Sequence, residues 1–197
     1  MKKFAVLFAL LSSLGLAQAE VGLFGTLDAG YNASKAPGAR TVSTNTESGG
    51  MTTSFWGIKG SEDLGNGRKA VFELSSFINQ NNGATLGGST VNTFARSSFV
   101  GLSDSKLGSL TFGRQSNPSF LPTILFNAYG DSGAYSPLWH ATYFGNTGNP
   151  TTQLYNDTAW DNAATYTSPN IQGMTVSATG SQGTNGNNSG ANLLYFK

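Results

Sequence analysis

The sequence has no cysteine, a single histidine and few charged residues. The absence of cysteine excludes a disulfide framework and a thiolate metal site. His140 has no second histidine and no carboxylate at ligand spacing, so neither a metal centre nor a histidine-activated nucleophile is expected. No glycine run has the strand–loop–helix context of a phosphate-binding loop. We therefore predict that the protein is not an enzyme and needs no cofactor or metal.

Charge of either sign is also scarce. Charged residues make up 11% of the chain, against about a quarter in an ordinary globular protein. Eleven basic residues are nearly balanced by ten acidic ones. Such a balance provides no basic surface for nucleic acid and no polybasic patch for a membrane surface.

Long hydrophobic runs are missing as well. The run Phe4–Leu11 follows Lys2 and Lys3 and precedes Ala17-Gln18-Ala19, which has the pattern of a cleavage site. This order is typical of a secretory signal peptide, predicted at 1–19. The run is far shorter than the roughly 20 residues of a spanning helix. We expect an exported chain that crosses no membrane with a helix.

The whole sequence is rich in glycine, with 26 residues, and in aromatic residues, at 12%. From Val21 onward, apolar and polar residues alternate: Val21, Leu23 and Leu27 share one face, and Thr26 and Asp28 the other. Alternation with period two predicts strands with one apolar and one polar face. By the same reasoning we assign these residues to apolar faces: Trp56, Ile58, Ala70, Phe72, Leu74, Phe99, Met174, Val176 and Ala178.

Strand and loop lengths also form a pattern. We predict about eight strands, near 20–33, 51–63, 67–78, 92–103, 108–116, 158–168, 172–181 and 190–197. Short turns alternate with longer polar segments, of which the longest is about 117–157. This layout is typical of an all-β, transmembrane antiparallel barrel. A soluble β-sandwich is the alternative. Charged and hydroxylated faces, and aromatic residues near strand ends such as Trp56, Phe112, Trp160 and Tyr166, argue against it.

Several segments resemble those of Gram-negative general porins of the betaproteobacterial and neisserial type. They are Ser54–Gly65 (SFWGIKGSEDLG), Arg96–Leu102 (RSSFVGL) and Gly108–Gln115 (GSLTFGRQ), with weaker matches at 23–28 and 161–169. The resemblance implies an outer-membrane channel for passive diffusion of ions and small hydrophilic solutes. It also implies a sixteen-stranded barrel, a homotrimer in outer-membrane lipid, and a long loop folded into the lumen.

By this correspondence, residues 20–197 are the N-terminal portion of such a barrel, with about its first eight strands. Family members end on a strand with a terminal phenylalanine, whereas this sequence stops at Lys197, which predicts a fragment. Two alternatives stay open. One is a self-contained eight-stranded barrel that acts as an adhesin or structural anchor, and the other is a truncated product without function.

The resemblance also points to pore residues. Porin eyelets place arginines on the wall opposite acidic groups of the inserted loop. Arg96 occupies one of three expected wall positions, while Phe55 and Ala159 occupy the others. Alternation also assigns Arg96 to the polar face, although a role in a structural wall network is an alternative. Asp131 is the acidic residue expected in the inner part of the loop.

Alternation predicts a balanced set of lumenal charges. Away from the constriction they are screened over a Debye length of about 8 Å, so we expect weak ion selectivity. The predicted set is Lys59, Lys69 and Arg96 against Asp28, Glu73 and Asp161.

Two further expectations concern the long loop. Arg114 has the parity of Leu110 and Phe112, which face lipid, so a bulge or a position at the rim must accommodate it. We expect it to anchor the loop.

The loop is rich in aromatic residues and proline, which indicates either a stacking path for ring-bearing solutes or, as we favour, self-packing. These residues are Phe120, Pro122, Phe126, Tyr129, Tyr135, Pro137, Trp139, Tyr143 and Phe144.

Overall fold

The computed structural model describes residues 19–35, 38–85, 92–118, 120–139, 141 and 158–182, and the backbone of 188–196. The predicted signal peptide therefore lies outside the described residues, apart from Ala19. Within the described part of the chain, no helix is long and apolar enough to cross a membrane.

The described residues form strands joined by turns, with two short helices. The strands are β1 (Glu20–Thr26), β2 (Ala29–Ser34), β3 (Ser43–Ser48), β4 (Phe55–Gly65), β5 (Arg68–Phe77), β6 (Ser97–Asp104), β7 (Gly108–Ser116), β8 (Ala159–Thr167), β9 (Met174–Gln182) and β10 (Asn188–Phe196). The helices are α1 (Phe120–Leu125) and α2 (Pro137–Trp139), both within the predicted long loop.

Eight of the strands form one antiparallel sheet. Its order is β1-β4-β5-β6-β7-β8-β9-β10, so after β4 each strand pairs with the next in sequence. The described pairings leave β1 bonded only to β4 and β10 only to β9, which makes the sheet open at both edges. Strands β2 and β3 form a separate hairpin.

The two faces of the sheet differ sharply in polarity. The outer face carries exposed apolar side chains, such as Val100 at 63%, Leu102 at 60% and Phe112 at 51%. The inner face buries hydroxyls: Ser75 lies opposite Ser97, and other hydroxyl pairs bond across β8 and β9. This is the reverse of a water-soluble protein, and it fits a sheet whose outer face contacts hydrocarbon.

The turns at one end of the sheet are short and closed by local hydrogen bonds. Between β4 and β5, residues Gly65, Asn66 and Gly67 have positive φ, and the Asp63 carboxylate accepts a bond from the Gly65 amide. Between β6 and β7, the Asp104 carboxylate accepts bonds from the backbone amides of Lys106 and Leu107. Such residues adopt tight turns at little cost, which fixes the register of each hairpin.

The predicted strands from 51–63 to 172–181 correspond to β4–β9, with ends that differ by a few residues, most at 92–103. The prediction of one strand over 20–33 was wrong. The chain breaks after Thr26, and β2 pairs with β3, which lies in the segment predicted as a loop. The physical reason is Asp28, whose carboxylate accepts hydrogen bonds from the amides of Met51 and Thr52 and turns the chain there.

The assignment of Phe99 to the apolar face was also wrong. Phe99 pairs with Glu73, whereas Val100 pairs with Phe72. Phe99 therefore shares the inner face with Glu73, and Val100 and Leu102 carry the apolar face of β6. The outward position of Trp56, Phe112 and Tyr166 is supported by their exposure of 40–51%.

Close packing of β6 against β7 generates a test. A Cβ at Gly101 would lie 2.4 Å from the Leu110 carbonyl oxygen and 2.8 Å from Thr111 Cα. Because the obstacle is backbone, we expect Gly101→Ala to lower the free energy of unfolding by about 1–3 kcal/mol. Gly22→Ala, also on the inner face but with nothing within 4 Å, is the control. Urea unfolding in detergent micelles measures both, and equal stability of the two variants would contradict the packing.

Candidate functional site: the inner wall and its loop contacts

The charged groups of the inner wall meet on neighbouring strands. In the strand register, Lys59 on β4 lies opposite Glu73 on β5, and Glu73 lies opposite Phe99 on β6. The register therefore places a cation, an anion and an aromatic ring side by side. All three lie on the inner face of the sheet, opposite the face that carries exposed Val100, Leu102 and Phe112.

Arg96, just before β6, makes the most extensive contacts among these groups. Its Nη1 donates to Glu73 Oε1 at 3.3 Å and to Ser75 Oγ at 3.2 Å. Its Cζ lies 3.8 Å from the centroid of the Phe55 ring. The side chain is 32% exposed, so the paired carboxylate and the ring face compensate for its partial desolvation.

The structure places Arg96 against inner-face residues, but the alternation argument for a lumenal position was wrong. The role of Arg96 in the constriction stays a prediction. Ser98 pairs with Leu74 and so shares the outer face. The same parity would put Arg96 outside. Arg96 precedes the strand, where alternation does not apply, and its backbone amide donates to the Ser75 carbonyl. That bond directs its side chain inward.

An aromatic row accompanies the charges. Phe24 and Phe55 contact edge to face at 5.8 Å, and Lys59 Nζ lies 5.0 Å from the Phe24 centroid. Gly57 makes this possible, because a Cβ there would lie 2.9 Å from Phe24 Cε1. Sequence reasoning noted Phe55 only as a missing arginine. The signal that could have revealed its role is its parity, which it shares with Lys59.

Two predicted pore carboxylates bind backbone and hydroxyl donors. Asp28 accepts hydrogen bonds from the amides of Met51, at 2.6 Å, and Thr52, at 3.0 Å. Asp131 accepts from Thr52 Oγ1 at 2.8 Å and from the Thr53 amide at 3.2 Å. Both carboxylates thus stabilise the segment that precedes β4.

Asp131 belongs to the long loop, and its neighbours strengthen the contact. Ser132 Oγ donates to the Gly50 carbonyl at 2.7 Å, and the Ala134 amide donates to the same oxygen at 3.2 Å. Residues 131–134 therefore lie against 50–53. We call this contact the loop latch. The latch therefore holds the loop's acid against the segment that leads into β4.

The described part of the long loop has a small apolar interior. Phe120 packs edge to face on buried Trp139 at 5.5 Å, and Ser136 Oγ accepts a bond from the Trp139 amide that caps α2. By contrast, Phe126 is 86% exposed, and Tyr129 and Tyr135 are also exposed. Self-packing thus holds for the first pair and not for these three. Tyr143 and Phe144 lie outside the described residues.

Arg114 lies where β7 is irregular. The pairing with β8 shifts register between Gly113 and Gln115, which is the bulge required by its parity. Its Nη1 donates to Asp161 Oδ1 at 2.8 Å, and its Nε donates to the Ala95 carbonyl. Arg114 thus ties the approach to β6 to the start of β8. Its role as the loop's anchor stays a prediction.

Lys69 is remote from this group. It pairs with Asp63 and Ser103 near the short turns, at the opposite end of β5 from the Arg96 contacts.

The described residues contain no cluster of three histidine or acidic residues that could hold a metal ion. His140 lies outside them.

Taken together, an antiparallel sheet with an apolar outer face, a charged inner face and a loop latched to its rim defines the wall of a membrane β-barrel. Comparison with known proteins agrees. The profile of the Gram-negative porin family matches residues 5–195, so the chain belongs to that family.

Individual relatives support this result. The chain is 38% identical over 133 residues to an outer membrane porin protein of Bordetella pertussis. The aligned region covers 59% of the chain and 34% of the relative. It is 35% identical over 118 residues to the major outer membrane protein P.IB of Neisseria meningitidis serogroup B, with 58% and 34% covered. The chain thus spans about a third of the length of these relatives.

A solved structure supports the fold. The anion-selective porin from Comamonas acidovorans superimposes with a TM-score of 0.64, covering 83% of this chain and 47% of that one. At 24% identity this similarity concerns the fold alone.

The loop latch generates a second test. Asp131→Ala removes a charged acceptor of two hydrogen bonds, so we expect loop docking to weaken by about 2 kcal/mol. Chymotrypsin should then cleave faster at exposed Phe126 or Tyr129, while the unfolding midpoint changes little. Asp63→Ala, which removes a carboxylate at the distant turn, is the control. Unchanged cleavage of Asp131→Ala relative to the control would show that the latch does not hold the loop.

Proposed function

We propose that the full-length protein is an outer-membrane porin of a Gram-negative bacterium that lets ions and small hydrophilic solutes diffuse passively through a water-filled pore. The observation that carries this proposal is the polarity of the sheet, with exposed Val100, Leu102 and Phe112 outside and Lys59 and Glu73 inside. Family membership supports it.

The complete wall in this proposal is a sixteen-stranded barrel, and three such barrels form a homotrimer. The open edges of β1 and β10 support further strands. In hydrocarbon each unsatisfied backbone group costs several kcal/mol, so an open sheet is unstable there until it closes. The open edges also argue against a self-contained eight-stranded barrel, in which β1 would pair with β10.

Conduction requires no catalytic group; the wall's charges and the loop determine what passes. Arg96 on the wall and Asp131 on the latched loop form the opposing charges of the constriction in this proposal. Glu73 moderates Arg96 through their ion pair at 3.3 Å. Lys59 lies on the same wall, while Lys69 near the short turns contributes little through salt solution. Asp28 and Asp161 act mainly through their hydrogen bonds.

The proposal is tested by conductance. Protein purified from outer membranes should insert into planar bilayers as open channels in steps of uniform size, and a bilayer that stays electrically silent would refute the pore. Insertion in multiples of three steps would support the trimer.

Ion selectivity gives a sharper prediction. Because cations and anions on the described wall are nearly balanced, we expect a reversal potential in a KCl gradient far below that of an ideally selective channel. Glu73→Gln leaves Arg96 without its ion-pair partner and should shift the reversal potential toward anions. Asp63→Asn, at the screened turn, should leave it unchanged. A strong preference of the wild type for either sign, or equal shifts in both variants, would contradict the assignment.

A further inference from the structure

An open recess of about 340 Å³ lies on the inner face of the sheet. Phe24 on β1 and Phe99 on β6 provide its aromatic surfaces, and Arg96 and Glu73 provide its charges. Sequence reasoning had placed Phe99 in lipid and had given Phe24 no role, so the recess was not expected.

Glycines keep the recess open. Phe99 pairs with Gly113, which has φ of +130° and no space for a side chain, since a Cβ would lie 2.2 Å from the Ser98 carbonyl oxygen. Phe24 lies beside Gly57, which has no Cβ to displace the ring. Both rings are therefore fixed against the backbone of the wall, and neither is covered by a side chain at these glycine positions.

Arg96 retains donors for a ligand. A guanidinium carries five N–H groups, and its hydrogen bonds to described residues all come from Nη1. Nε and Nη2 can pair with a carboxylate in a planar, bidentate arrangement. Lys59 adds a second positive charge beside Phe24, so the two cations outnumber Glu73 in this part of the wall.

We propose that this recess is a binding site for aromatic monocarboxylates in transit, with the carboxylate on Arg96 and the ring against Phe24 and Phe99. The proposal rests on the proposed pore function. The recess is lined by two aromatic rings and a guanidinium, so a small solute that carries both a ring and an anion has a partner for each group. An aliphatic acid has a partner only for its charge. Contacts between aromatic rings contribute free energy beyond that of the buried area, so an aromatic acid should bind more tightly than an aliphatic acid of similar size.

The test uses the protein purified from outer membranes, in planar bilayers with KCl. Benzoate and cyclohexanecarboxylate have the same charge and nearly the same size, and only benzoate has a π-system. We expect benzoate to reduce the KCl current at a concentration roughly two- to tenfold lower than cyclohexanecarboxylate. Phe99→Leu should remove this preference. Phe112→Leu, the same change on the outer face of the next strand, should keep both the benzoate preference and the KCl conductance.

The outcomes separate the two proposals. Channels that conduct KCl but respond equally to both acids would overturn the binding site and leave the pore intact. A benzoate preference that survives in Phe99→Leu would also overturn it, since the ring would then bind elsewhere, as on the loop's exposed Tyr129. Absence of channels in the wild type would overturn both. Phe24→Leu, on the other side of the recess, gives an independent variant with the same expected loss of preference.

Discussion

In hydrocarbon, a backbone amide or carbonyl has no water to bond with, and this constraint governs the sheet described here. Each strand must place its backbone bonds on its neighbours, which leaves side chains as the only groups that meet lipid and lumen. Alternation then gives every strand two environments at once. That is why Val100 can be more than half exposed while Ser97, three residues earlier, is buried. The apolar belt and the charged wall are two consequences of one hydrogen-bond pattern.

On the inner side, hydrogen bonds and ion pairs stabilise the structure, as apolar packing does in the core of a soluble protein. Hydroxyl pairs bond across β8 and β9, and Glu73 and Ser75 hold Arg96. Aspartates bind amides of the segment before β4. These contacts hold the charged side chains of the inner face in place. In the proposed pore, the side chains that stabilise the wall are also those that meet passing ions.

Much of the sheet was predictable because period-two alternation reports directly on lipid and water. It failed where a local contact outweighs the period. Asp28 binds amides more than twenty residues away and breaks the first strand, which no local pattern reveals. Arg96 lies outside its strand, so alternation gave no valid reason for placing its side chain. In β6, serine lies on both faces and glycine lies on the face of Phe99, so the sequence does not show which face is apolar. Arg114 was flagged because a cation facing lipid is costly, and the bulge follows from that cost.

The loop latch has a consequence for assembly. The bond from Thr52 to Asp131 joins residues 79 apart in sequence, and that from Ser132 to Gly50 joins residues 82 apart. Contacts of such long range form slowly, because the intervening chain must be ordered first. Strands β4 to β7 all lie within that interval, so we expect the latch to close after this part of the sheet has formed. Its closure would thus be a late event in biogenesis, and the aperture would reach its final width after the wall is built.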